Sequence, residues 1–223
     1  MLNPSFGPAN ERTMPTIEDA RDTYATSLAW LAERAELPHL LNQRRLFGCG
    51  VEVGVQTGEF SELILGAWHG RHLISVDPWL TDAADRYEDI ANVSQDRHDQ
   101  LYEETRARLS RFGTRSSIWR LTSLEATQRI PDYSLDFVYI DARHDYASVM
   151  EDLEAWHRKV RPGGVFAGHD YLDGRFDAGE FGVKRAVDEF FGARGVAVYP
   201  TLLDTPWLTW LTVAQMPALA GAA

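Results

Sequence analysis

Five times along this chain a short apolar run gives way to a stretch of helical periodicity, and that alternation constrains the fold more than any other feature. The runs are Val51 to Val53 within GVEVGV, HLISVD ending at Asp77, SSIWRLT, LDFVYID and VFAGHD. LDFVYID is apolar between flanking acids, the pattern of a strand covered on both faces. Between the runs, EFSELILGAW, Gln95 to Ser110 and Leu124 to Ile130 read as helices, and Tyr146, Val149, Met150, Leu153, Trp156 and Val160 form a helical stripe that RPGG at 161–164 is expected to stop. VKRAVDEFF reads as one more helix, and the glycine-rich YLDGRFDAGEFG before it as a loop long enough to close over something. Such alternation predicts an α/β fold, a doubly wound, mostly parallel seven-stranded sheet. The last runs, VAVY and WLTWLTV, lack a helix between them and predict an antiparallel hairpin at one edge.

Ahead of the first strand, Ile17, Ala20, Tyr24, Leu28, Leu31 and Ala35 recur at helical spacing and predict a helix over Thr16 to Glu36. Residues 1–15 read as a flexible arm, 16–213 as a single domain that includes this helix, and 214–223 as a frayed tail. Chain length and an apolar content of 44% suit one such domain with a complete core. Acidic residues outnumber basic ones by 33 to 22, which argues against nucleic acid or an anionic membrane as partner and favours a neutral or cationic small molecule. The lone cysteine, Cys49, excludes an internal disulfide and fits a reducing cytoplasm. No apolar stretch approaches the roughly 20 residues that span a bilayer. The opening MLNPSFGPANERTMP has neither the basic start nor the apolar run of a secretory signal. The arm and first helix offer a surface for a homodimer.

Ligands of open α/β sheets bind beyond the carboxyl ends of the strands. EVGVQTG, at 52–58, stands there after the first strand. A dinucleotide site wants G-x-G-x-x-G, so that backbone can approach a pyrophosphate; here Gln56 replaces the second glycine and Glu59 the third. A carboxylate in that place repels phosphate. Glu52 and Glu59 suit a cationic ligand, and Asp77 is placed to accept from ribose hydroxyls. A nicotinamide-dependent oxidoreductase is therefore the weaker alternative. A noncatalytic saccharide- or nucleotide-binding module is a third.

Asp141 ends the fourth strand and His169 with Asp170 the fifth, so neighbouring parallel strands would bring them to one rim, with His144 one turn away. Two carboxylates, waters and a vicinal diol could complete an octahedron around a hard divalent ion. This requires that the two strand tips converge and that no arginine or lysine fill the place meant for the cation.

From residue 47 to 213 the pattern resembles the class I S-adenosylmethionine-dependent methyltransferases: an acid, then glycine-x-x-x-glycine, then an acid ending the next strand. The resemblance implies a Rossmann-like methyltransferase fold in which Glu52, Gly54 and Gly58 line the methionine and ribose portions of S-adenosylmethionine, Asp77 binds the ribose, and Thr122 and Ser123 occupy the adenine edge. Trp79 would shield the cofactor. The D-x-x-H of Asp141 and His144, followed after RPGG by a strand and an acidic pair, is similar to the metal-dependent sugar O-methyltransferases, which act on macrolide and aminocoumarin sugars and polysaccharides. That likeness implies Asp141 and Asp170 as ligands of magnesium and His144 as general base; Asp145 is expected to orient His144, and an imidazole ligand would favour manganese, iron or zinc over magnesium. His169 stands where that family carries an acid, and is either a further ligand or sits behind one.

The implied reaction is methylation of a hydroxyl on a sugar or oligosaccharide, a mannose-type acceptor of polysaccharide biosynthesis among them. An alkyl hydroxyl is too weak an acid for a histidine titrating near 6.5 to ionise unaided, and a divalent ion corrects that mismatch. Tyr171 and Phe176 are the expected sugar contacts, whereas Tyr146, Trp207 and Trp210 are expected in the core. His39, His69, His72, His98 and His157 show no metal spacing.

Overall fold

The computed structural model describes residues 31–83 and 89–215. Its central strand is β4 (Leu135–Ile140), with every side chain buried. β4 pairs in parallel with β1 (Cys49–Val53) on one side and β5 (Val160–Gly168) on the other. β1 then pairs with β2 (His72–Asp77) and β2 with β3 (Ser116–Arg120), all parallel. Beyond β5 two short strands, β8 (Tyr199–Pro200) and β9 (Trp210–Val213), form the expected antiparallel edge, β9 lying between β5 and β8. The seven strands run in the order β3-β2-β1-β4-β5-β9-β8, so the fold expectation holds.

Alternate residues of each strand feed two cores, because side chains on a strand point to opposite faces in turn. Val138 and Ile140 join Val51 and Val53 beneath α4 (Ser123–Thr127), α5 (Tyr146–Trp156) and α6 (Val183–Gly192). Phe137 and Tyr139 face α1 (Leu37–Gln43) and α2 (Glu59–Ala67), where the Trp68 ring meets Phe137 edge-on at 5.0 Å. The long polar helix α3 (Gln95–Leu109) lays Leu109 into that second core and Leu101 against Trp79. The one acid within β4, Asp136, is buried but satisfied, by Arg161 Nε at 2.6 Å and by the amide of Gly48.

Three expectations are corrected. Of the helix foreseen over 16–36, residues 16–30 lie outside the described residues; the remainder is a 3-10 turn, Arg34–Glu36, running into α1, which the sequence reading omitted. Pro38 sits in the first turn of α1, where a missing N–H costs nothing. RPGG does not stop α5, which has already ended at Trp156; it lies inside β5. The register slips between Leu135 and Phe137, and Gly163, at φ +80°, gives the backbone the turn that this irregularity needs. The loop over 171–182 is a second small sheet, the hairpin β6 (Asp173–Phe176) and β7 (Gly179–Gly182), with Gly174 and Gly179 both at positive φ. Among the described residues no helix is long and apolar enough to cross a membrane.

Phe137→Ala should lower unfolding stability by about 3–5 kcal/mol in denaturant titration, since it empties a fully buried ring site in the central strand. Leu203→Ala, on an exposed side chain, should stay within about 0.5 kcal/mol of the parent.

Candidate active site

The turn after β1 is fixed by backbone geometry. Gly54 stands at φ +83°, and a Cβ there would lie 1.9 Å from the carbonyl oxygen of Asp141. Gly58, at φ +75°, opens α2 and would clash at 2.9 Å with Thr105. Asp77 holds the turn: Oδ2 accepts from the amides of Val55 at 2.9 Å and Gln56 at 3.0 Å, and Oδ1 from that of Trp79 at 2.7 Å. An ionised carboxylate has about four acceptor positions, so the protein already uses most of those expected to serve the ribose. Trp79 is fully buried, lies tilted against Tyr102 with ring centroids 5.0 Å apart, and donates from Nε1 to the Gln56 carbonyl at 2.9 Å. It walls the cleft from beneath the turn.

Glu52 is buried behind the turn, where the Ser61 hydroxyl donates to it and itself lies 2.6 Å from Ser75 Oγ. Burial pushes the Glu52 carboxyl up to about 8, against the opposing pull of the Ser61 hydrogen bond. Thr122 caps α4 in a reciprocal box with Glu125. Ser123 donates to Asp152 and accepts from Trp156 Nε1 at 2.8 Å. Glu52, Gly54, Asp77, Trp79, Thr122 and Ser123 line one cleft of about 590 Å³ that also reaches Asp141, His144 and Asp170, whereas Gly58 is not in its wall. That volume suits a small-molecule site. A second cavity of about 400 Å³, walled by Phe166, Phe190 and Phe191, opens near Val160 at the opposite end of the sheet.

The tips of β4 and β5 converge. Asp141 donates its amide to the Val53 carbonyl at 2.7 Å, and His169 donates its own to Ile140 at 2.9 Å. Asp141, His144 and Asp170 each offer one ligand atom, and these three atoms lie within 4.8 Å of one another. His144 is gripped at both nitrogens, by Asp170 Oδ2 at 2.9 Å from Nε2 and by Asp89 Oδ2 at 2.7 Å from Nδ1, while Phe181 stacks on its ring at 4.6 Å. Burial alone would lower its pKa, but the carboxylates of Asp141, 4.0 Å from Nε2, and of Asp170 and Asp89, which accept from the ring, prevail and push it up to about 11. The surrounding carboxylates thus favour the protonated form of His144. The imidazoles of His144 and His169, both in contact with it, hold Asp170 well below the ordinary carboxylate range, against its burial. Asp170 also adopts φ +53°, an uncommon conformation for a non-glycine residue.

Several expected roles shift. Asp145 does not orient His144; its carboxylate caps α5 by accepting from the Ser148 amide at 3.0 Å. Asp89, in the insertion after β2, has that place. His169 lies at 2.9 Å from Asp170 Oδ1 and 3.7 Å from Asp141 Oδ2, beside the three-donor group. Arg34 reaches Asp141 Oδ2 at 3.5 Å, so a basic residue stands at the flank of the acid cluster. Tyr171 donates to Asp188 under a Lys184 cation, whereas Phe176 is exposed and packs with Phe181 and Trp207. Trp210 is in the core as expected, but Trp207 is half-buried in that aromatic group. The insertion is tied to the hairpin by a bridge from Asp89 to Gly179, with the Ile90 amide donating to Ala178 at 2.9 Å.

A glycine turn, an acid beneath it and a cleft across the tips of a parallel sheet in this strand order define a Rossmann-like fold built to hold a nucleoside-sized ligand. The chain belongs to the methyltransferase domain family, whose pattern matches residues 51–171, more than half of its 223 residues. Solved structures share the fold. The O-methyltransferase TomG of Streptomyces achromogenes, involved in tomaymycin synthesis and solved with SAM, superposes with a TM-score of 0.56 at 18% identity, over 88% of this chain and 86% of that one. An O-methyltransferase of Bacillus cereus, solved with SAH, gives 0.55 at 13% identity, over 92% and 93%. Uncharacterized protein y4gI of Sinorhizobium fredii is 27% identical over 134 residues, which are 60% of this chain and 14% of that relative's length.

Because folding raises the Glu52 pKa from 4.5 to about 8, the folded state binds that proton more tightly, and stability falls as pH rises through this window. Glu52→Gln does not titrate. Its stability relative to the parent should therefore improve by roughly 3–5 kcal/mol between pH 4 and 9, read as the difference in urea midpoints at each pH.

Proposed function

We propose that this methyltransferase takes its methyl group from S-adenosylmethionine and transfers it, with a divalent metal, to a hydroxyl of a sugar or oligosaccharide. The observation that carries the metal is the convergence of Asp141, His144 and Asp170 beside the Gly54 turn. The cofactor reading is supported by family membership and by the SAM- and SAH-bound relatives of the same fold. The residues fit a divalent ion: two carboxylates from adjacent strand tips give hard oxygen donors, and the imidazoles of His144 and His169 flank them. Asp141 and Asp170 would hold it, and bound there it would lower the pKa of an acceptor hydroxyl.

The chain's own groups account for the rest. Asp89 fixes the His144 ring through Nδ1, which leaves Nε2 directed at the acid cluster. Once Asp141 and Asp170 are otherwise engaged, His144 loses two of the three carboxylates that keep it protonated and can take the acceptor proton at Nε2. In-line attack on the sulfonium methyl then needs positioning more than further activation. Phe176, Phe181 and Trp207 give an aromatic wall next to His144, a surface suited to the apolar face of a sugar ring. The free Cys49 fits action in a reducing cytoplasm.

Transfer to a saccharide panel, read as a product mass gain of one methyl, should vanish in EDTA and return with Mg²⁺ or Mn²⁺; full turnover in chelator removes the metal and leaves the cofactor reading intact. Asp89→Asn should lower kcat about 10- to 100-fold with SAH affinity unchanged, as expected when the partner that orients a histidine is removed. A parental kcat in that variant would take Asp89 out of the mechanism.

A further inference from the structure

The buried acid that the foregoing chemistry leaves unused is Asp152, in α5. It is 1% exposed and lines the same cleft as Ser123 and Leu124. Its Oδ1 accepts from the Ser123 hydroxyl, and that hydroxyl accepts in turn from Trp156 Nε1 at 2.8 Å, so the carboxylate is held in one orientation from the first turn of α4. Its Oδ2 is buried and has no hydrogen-bond partner among the described residues. The nearby Arg143 guanidinium pairs with Glu151 at 3.0 Å. A buried carboxylate oxygen without a donor is unfavourable and rare in folded proteins, and a ligand N–H brought to Asp152 through the cleft it lines would satisfy it.

The donor it suits follows from the order of the strand tips. Along the cleft stand Ser123 after β3, Asp77 at the end of β2, Gly54 after β1, Asp141 after β4 and Asp170 after β5. The reacting end lies at Asp141 and Asp170. A nucleoside sulfonium with its methyl there and its sugar near Asp77 would extend its base toward Ser123 and Asp152. We infer that Asp152 selects the base, accepting the exocyclic amino group of adenine on Oδ2 and repelling a carbonyl at the same ring position. The inference rests on the S-adenosylmethionine reading given above. Burial lifts the Asp152 carboxyl to about 6, the direction expected of an acid whose solvent has been removed without full replacement by donors.

Calorimetry on the full chain with S-adenosylhomocysteine and with its deaminated analogue, S-inosylhomocysteine, tests this without any substitution. The parent should bind the adenosyl compound about 10- to 100-fold more tightly, the range for a hydrogen bond to a charged group. Asp152→Asn, whose amide can donate as well as accept, should bring the two affinities within about threefold. Equal affinities in the parent, or an undiminished preference in the Asn variant, would overturn the assignment to Asp152. Binding of neither compound by the parent would instead overturn the cofactor reading itself.

Discussion

β1 and β4 approach so closely at their carboxyl ends that the carbonyl of Asp141 occupies the space a side chain at residue 54 would need. The Asp141 amide completes the contact by donating to Val53. This crossing joins the two halves of the cleft: the turn that would receive the nucleoside leaves β1, and the first acid of the reacting end leaves β4. Because β5 continues the ladder, with the His169 amide on Ile140, Asp170 follows at the same level. A larger residue at 54 would separate these strand ends and disperse the acids, whatever their identity.

The cluster at the tips of β4 and β5 is mutually neutralising rather than a row of free carboxylates. Asp89, Asp141 and Asp170 face His144, His169 and Arg34. Such an arrangement satisfies buried acids that would otherwise be costly to desolvate. It also means that anything cationic entering the cluster competes with imidazolium and guanidinium for the same oxygens. The protonation of His144 and the occupancy of the acids are thus one equilibrium.

Sequence periodicity was sufficient for β1 to β5, α2, α3, α5 and α6, because each is long or apolar enough for its pattern to outweigh its neighbours. That Asp141, His144 and Asp170 would lie close together was legible for a related reason: the ends of buried strands are readable, and a parallel sheet brings such ends together. What escaped depends on contacts between distant segments. Asp145 adjoins His144 in the chain, yet an aspartate one residue before a helix is drawn to the unpaired amides of its first turn. Asp89 does the orienting from a polar insertion whose several acids carry no period to distinguish one from another. Arg34 and Trp207 lay in stretches whose own patterns said helix and core. RPGG contains the usual helix-stopping residues, but here they serve a strand irregularity, and only the pairing partner Asp136 across β4 reveals it.

The bridge between Asp89 and Gly179 joins two segments far apart in the chain, each of which packs on the other above His144. Contacts of that kind close large loops for few bonds, and segments held so lightly are expected to open more readily than a sheet core. The orientation of the histidine therefore has its own local stability, lower than that of the strands beneath it. Amide exchange at Ile90, whose hydrogen is held by Ala178, would count how often that support lets go.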